Sequence, residues 1–135
     1  MKIYVAAPWV RRPDAIEFGK RLTALGHELT CHWFNHKIDG DPNDSTGITS
    51  DPISIIHQAV EDIEDVKRAD VLIVLNLQKS EGKAVETGIA LANHIPIISV
   101  GTRSNIFQSL GFEARDADEA IRVLTKMCAA SGVQV

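Results

Sequence analysis

Two short runs of this chain, Ile3-Tyr4-Val5-Ala6-Ala7 and Val71-Leu72-Ile73-Val74-Leu75, are apolar at every position, and Ile95 to Val100 is nearly so. A strand with one wet face alternates apolar and polar residues. A strand apolar throughout is covered on both faces. Between these runs lie stretches with helical spacing. From about Pro13 to Leu25, the residues Ile16, Gly19, Leu22 and Leu25 line one side, and Gly26 ends the helix. From about Ser54 to Ala69 the expected buried seam is Ile56, Ala59, Val60, Ile63 and Val66. Another helix follows Ser80, and a last one starts at Asp116 or Asp118 and runs through Met127. Glu28 to Phe34 is expected as a second strand, mixed in polarity and nearer an edge, and Phe112-Glu113-Ala114 as a short fifth. Buried strands alternating with helices mean a parallel sheet. The expected fold is therefore α/β: a flavodoxin-like, doubly wound five-stranded parallel sheet of order 2-1-3-4-5, with helices on both faces.

The 135 residues fit one compact domain, 1–135, with no second-domain linker. Residues 35–53 differ in kind. Asn, Asp, Gly, Pro, Ser and Thr dominate there, so the segment reads as a long active-site loop. A net charge of -4, with no basic run, argues against a nucleic acid polymer as partner. No apolar run is long enough to span a membrane, and Met1-Lys2 leads straight into an apolar strand, so a cytoplasmic, soluble protein is expected. Cys31 and Cys128 form no CxxC and read as reduced, packed thiols.

In doubly wound sheets ligands bind beyond the carboxyl ends of the strands, near the switch point between the first and third. That places a site among Ala7 to Arg12, Trp33 to His36, Asn76 to Glu86 and Gly101 to Asn105. The first strand is not followed by GxGxxG, and GxxxxGK[ST] is missing, so neither a dinucleotide nor a P-loop cofactor is expected. Asp39-Gly40-Asp41-Pro42-Asn43-Asp44 is acidic enough for a calcium loop, but Pro42 interrupts it and no Glu closes it. His32 and His36 lack a fixed ligand spacing, and polar packing at the strand end explains them better than a metal. The expectation is a site with no metal and no cofactor.

The stretch Ser80 to Ala92 puts Glu86 into the opening turns of a helix, among the small residues Gly82, Ala84, Gly88 and Ala90. A helix start favours a negative group, so Glu86 is expected to stay ionised near neutral pH. A fixed, ionised carboxylate in a cleft is a nucleophile for a sugar carbon; the plainer alternative is a surface Glu on a tightly packed helix. The preceding long helix carries Glu61, Asp62, Glu64 and Asp65. With Ile63 pointing inward, Glu61 and Asp65 are expected to face solvent and Asp62 to flank the seam, within reach of the cleft. Two carboxylates in unlike surroundings can divide the roles of nucleophile and proton donor in glycosidic cleavage. Ser80 and Gly82 on the turn into the Glu86 helix suit a phosphate, or make a plain N-cap. Arg11 and Arg12 follow the first strand and either fork an anion or stay on the surface. Trp9 and Trp33 lie at strand ends, where a base can stack on them or the loop can simply pack.

Four segments in this order, Ile3-Tyr4-Val5-Ala6-Ala7-Pro8, the Asp62…Ala69-Asp70 junction, Ser80-x-Gly82-x-x-x-Glu86-x-Gly88 and Gly101-Thr102-Arg103-Ser104-Asn105-Ile106-Phe107, resemble the nucleoside 2-deoxyribosyltransferase-like superfamily, which includes the 2'-deoxynucleoside 5'-phosphate N-hydrolases. The chain looks closest to a less characterised branch from phage and bacterial genomes that shares the Arg-x-Asn-x-Phe segment. The resemblance covers nearly the whole chain. It implies that Glu86 attacks C1' of the sugar, that Asp62 protonates the departing base and that Tyr4 positions Glu86. It also implies that Ser80 and Gly82 hold a 5'-phosphate. The implied partner is a small nucleotide or nucleoside. Members commonly form dimers or larger assemblies in which a neighbour completes the pocket, and Asn105 is the residue expected to be lent in this way. Ala7-Pro8 stands where the phosphate hydrolases have Gly-Ser and looks more like the transferase side. Water or a second base then resolves the intermediate, and the residues leave both open; the alternatives are hydrolysis of a ribonucleotide or NAD-type N-glycosidic bond and a non-catalytic nucleotide-binding or sequestering module.

Overall fold

The computed structural model describes residues 1–36 and 51–132. Most of the 35–53 loop therefore lies outside the described residues. Five strands, β1 (Lys2–Ala6), β2 (Glu28–Leu29), β3 (Val71–Leu75), β4 (Ile97–Val100) and β5 (Phe112–Ala114), form one sheet in the order β2-β1-β3-β4-β5. Every pairing is parallel. Three helices connect the first four strands, α1 (Arg12–Ala24), α2 (Pro52–Lys67) and α3 (Glu81–Ala92), and α4 (Ala117–Ser131) follows β5. The order 2-1-3 reverses the direction of winding after β2. Right-handed crossovers therefore send α1 to one face and α2 and α3 to the other, and α4 returns after β5 to the α1 face. Arg21 of α1 pairs with Asp118 of α4 at 2.5 Å, and α2 contacts α3. Ile3, Tyr4, Val5 and Ala6 of β1 and Val71 to Val74 of β3 have no exposed surface at all. This is what uniformly apolar strands require, and each such Val, Leu or Ile contributes about 1.5–3 kcal/mol.

β2 is far shorter than the expected strand over 28–34, and the reason is local. Thr30 donates its N–H to the Ile3 carbonyl, as the parallel ladder requires. The next acceptor on β1, the Val5 carbonyl, is taken by the Trp33 indole N–H at 2.7 Å. The His32 N–H turns instead to the Asp65 carboxylate at 3.1 Å. Two side chains thus end the strand and fold Trp33–Asn35 into a 3₁₀ turn at the head of the sheet.

α2 also departs from expectation. Val66 is buried, but Ile56, Val60 and Ile63 are 62, 55 and 40 % exposed. Asp65, expected in solvent, is buried. It accepts from the His32 backbone and imidazole and from the Arg68 guanidinium. This polar anchor sets the rotation of α2 and turns its apolar row outward. His32, Glu61 and Asp65 come close enough to offer three ligand atoms within 4.8 Å, but Arg68 already neutralises Asp65 there and opposes a cation.

At the far end of the sheet Gly101, with φ +90°, turns the chain out of β4. A 3₁₀ turn over Ile106–Leu110 follows. Gly111 then lets that turn lie against β4: a Cβ there would stand 2.4 Å from the Ile97 carbonyl oxygen. Cys31 and Cys128 are free and buried. No helix among the described residues is long and apolar enough to cross a membrane.

Candidate active site

A cleft of about 930 Å³ opens at the carboxyl ends of β1 and β3. Its walls come from four places. Ala7 and Trp9 follow β1, and Trp33 and His36 follow β2. Asp62 and its neighbours Ala59 and Ile63 come from α2, and Ser80, Gly82 and Glu86 from the start of α3. Ser104 and Asn105 close the rim. Tyr4 lies beneath this floor in β1, and its hydroxyl donates a short hydrogen bond to Glu86 Oε2.

Of the other expected site residues, Pro8 and Arg11 do not line the cleft. Pro8 is buried and caps the 3₁₀ turn Trp9–Arg11 with φ -60° and ψ 142°. Arg11 pairs with Asp14 at 2.8 Å on the surface and is not an anion fork in the cleft. The i,i+3 spacing within α1's first turn draws the two together. Arg12 lies over the Trp9 ring, 4.4 Å from its centroid. Ser80 is the N-cap of α3, accepting from the Lys83 N–H at 3.3 Å. By position the N–H groups of Glu81 and Gly82 have no intrahelical acceptor and point toward the cleft end of the helix. Asn105 uses its side-chain oxygen within its own chain, accepting from the Phe107 and Gln108 N–H groups.

Two buried polar atoms among the described residues have no hydrogen-bond partner: the Trp9 indole nitrogen and Asp62 Oδ1. Both side chains line the cleft. Buried polar groups are nearly always paired, so a free donor and a free acceptor in one cleft mark places where a ligand completes the bonding. His36 Nε2 stands 3.8 Å from Asp62 Oδ1 and 3.0 Å from Glu61 Oε1.

Residues 3–128 match the sequence signature described as Nucleoside 2-deoxyribosyltransferase. The chain belongs to that family. By its description the family is one of glycosyl-transferring enzymes. Solved structures share the deoxyribosyltransferase fold. A 2-deoxyribosyltransferase from Bacillus psychrosaccharolyticus superimposes with TM-score 0.67 at 18% identity, over 89% of this chain and 90% of its own. A conserved protein from Enterococcus faecalis V583 gives TM-score 0.64 at 19% identity, over 91% and 98%. A CMP N-glycosidase from Clostridium botulinum gives 0.58 at 15% identity, over 93% and 98%. No curated protein matches the sequence significantly.

The charge state of the deoxyribosyltransferase-like cleft differs from the sequence expectation. Glu86 is not held ionised by the helix start. It is the sixth residue of α3, past the first turn where the helix dipole acts. Burial pushes its carboxyl up to about 8 and the Asp62 charge pushes the same way, while the Tyr4 hydrogen bond and Lys83 pull it down. Asp62 is pushed up to about 6, chiefly by burial and then by Asp65 and Glu61, against the pull of His36 and His32. Tyr4 is held well above the usual phenol range by burial and by Glu86 and Asp62, so it stays a neutral donor.

One residue that the sequence reading passed over is Lys83. It is 1% exposed and lies on the inward stripe of α3 with Thr87 and Ala90. A lysine at the first position of an otherwise small, buried i, i+4, i+7 stripe is the signal that would have found it.

Proposed function

We propose that this chain cleaves the N-glycosidic bond of a 2'-deoxynucleoside 5'-monophosphate or a deoxynucleoside. The observation that carries the reading is the Tyr4–Glu86 hydrogen bond set into the same cleft as Asp62. A Glu86 oxygen attacks C1' of the sugar and the C1'–N bond breaks. Its electron pair goes to the base nitrogen, and the base takes the proton of Asp62. Water or a second base then attacks C1', releases Glu86, and returns its proton to Asp62. The first outcome is hydrolysis, the second base exchange. Tyr4 holds the attacking carboxylate by its hydroxyl. Trp9 and Trp33 form an aromatic wall with ring centroids 6.1 Å apart, suited to a base. The free Trp9 N–H is a donor for it or for the sugar. Ser80, Gly82 and the open N-terminus of α3 suit a 5'-phosphate.

Asp62 and Glu86 share one proton over much of the neutral range. With their ionisations at about 6 and about 8, that proton rests on Glu86. The reactive arrangement, with the proton on Asp62 and the charge on Glu86, is the minor one before substrate binds. Fold likeness to a CMP N-glycosidase keeps a ribonucleotide as a second reading.

The chain acts as a homo-oligomer in this reading. Ile53, Ile56, Val60 and Ile63 recur at intervals of three and four along α2 and are all at least 40% exposed, the spacing of a helix–helix seam. A second copy of the chain is the proposed cover.

Chromatographic detection of free base, from a panel of deoxy- and ribonucleotides and nucleosides with and without a second base, tests the activity. Release that disappears in Glu86→Ala supports it, exchange marks a transferase, and no turnover on any member refutes it.

A further inference from the structure

Lys83 is buried without a counter-ion. Among the described residues no carboxylate lies within salt-bridge distance of its ammonium. Its partners are neutral: the Gln78 carbonyl at 2.6 Å and Asn76 Oδ1 at 3.3 Å. Burying a charge on neutral partners costs free energy that a methionine of similar length would not. Stability therefore does not account for a lysine at this place.

The surroundings of the ammonium are fixed. The Asn76 amide donates to Gln108 Oε1 at 2.7 Å. The fully buried Gln108 donates back to Asn76 Oδ1 at 3.1 Å and to Ser104 Oγ at 3.0 Å. The network ties the end of β3, the turn into α3 and the Ser104–Asn105 rim to one positive charge. Lys83 also precedes Glu86 by three residues, neighbouring positions on a helix, and each feels the charge of the other. The other ionisable groups about Glu86 are Tyr4 from β1, Asp62 from α2 and the Cys31 thiol after β2. Each of these either bears negative charge or would on ionising. Among the described residues Lys83 is the cation that favours charge on Glu86, while His36 and His32 favour it on Asp62.

We propose that Lys83 is a positioning residue for Glu86: anchored on Asn76 and the Gln78 carbonyl, its ammonium draws the negative charge of the Glu86–Asp62 pair onto Glu86, the member that attacks. The inference rests on the glycosidic reading for its catalytic meaning, but not for its electrostatic content.

Two readouts separate these. The first is the pH profile of kcat/KM for wild type, Lys83→Gln, Lys83→Met and Lys83→Arg. In either neutral variant the alkaline limb moves to higher pH and the plateau falls about threefold to tenfold. Lys83→Arg keeps the wild-type limb. A purely structural lysine would lower activity without moving the limb, and that result overturns the proposal. The second is a ¹³C NMR titration of the Glu86 carboxyl, assigned with Glu86→Gln, which needs no substrate. Its midpoint rises in Lys83→Gln or Lys83→Met if the coupling exists, and an unmoved midpoint refutes it even if no substrate is ever turned over. Met fills the apolar stripe and Gln keeps the hydrogen bond to the Gln78 carbonyl, so the two neutral variants fail to fold for different reasons.

Discussion

Replacing Tyr4 with Phe removes one hydroxyl from a side chain that has no exposed surface and leaves the ring in the core. The loss is felt at Glu86, which accepts that hydroxyl's proton. A hydrogen bond to a charged group is worth about 1.5–3 kcal/mol, or about one to two pKa units. The Glu86 carboxyl, already pushed up to about 8, should then titrate one to two units higher. The proton shared with Asp62 is held more firmly on Glu86, and the reactive arrangement becomes about 10- to 100-fold rarer. The assay is base release measured as kcat/KM from pH 5 to 10.5. The plateau should fall by that factor and the alkaline limb should move up. The limb near 6, which belongs to Asp62, should stay. The two profiles should converge at the alkaline end, where the pair is fully ionised in both proteins. A uniform loss with both limbs in place would refute this reasoning, because the hydroxyl would then act on the transition state and not on the partition of the proton.

Three further substitutions probe the same site and its surroundings. Asp62→Asn should lower kcat/KM by about 10²–10⁴ on ordinary bases and much less on a base that leaves unprotonated. Its profile should keep only a rising limb, shifted down because the Asp62 charge no longer raises Glu86. Glu86→Gln should stabilise the fold with a pH dependence of definite sign. The native carboxyl titrates at about 8 against an ordinary 4.5, so the folded state binds the extra proton and the wild type loses stability as pH rises through that window. The stability of the variant should match wild type below pH 5 and exceed it increasingly to pH 8–9, by at most about 5 kcal/mol at about 1.4 per unit, read as a rising difference in Tm; equal Tm values at pH 9 would count against a buried Glu86. Ile56→Asp combined with Val60→Asp should reduce the mass seen by light scattering to that of a single chain, and an unchanged mass would move the subunit contact away from α2.

The fold was legible because it depends on averages. Five runs rich in apolar residues, separated by helical periods, leave few topologies, and no single residue decides between them. What the sequence hid were the places where one polar side chain overrules a pattern. The apolar seam of α2 is real in the sequence, yet Asp65 takes the inside because His32 and Arg68 meet it there. β2 stops at Leu29 because an indole from four residues further on takes the Val5 carbonyl. Neither the His32–Asp65 nor the Trp33–Val5 contact follows from periodicity, since each joins segments far apart in the chain.

The position of the cleft was legible, but not all of the side chains about it nor its charge: Arg11 turns away to Asp14, and Lys83 went unread. Strand ends and the Ser80-to-Glu86 spacing are local features, and they locate the cleft. The protonation of Glu86 is instead a balance of opposed effects from β1, α2 and α3. A helix-start argument considers only the last of these and gives the wrong sign. Burial and Asp62 raise the carboxyl, while Tyr4 and Lys83 lower it. In the proposed reaction Glu86 is a buried nucleophile, and a site of that kind must supply compensating donors close by. Tyr4 does so from the strand beneath and Lys83 from within the helix. On this argument the two act as separate sources on one carboxylate, so their losses should multiply. Removing both should cost less than the product of the single losses only if one relies on the other to place Glu86; a full product in a double-mutant cycle would mean that they act as separate charges and dipoles on a carboxylate already fixed by the fold.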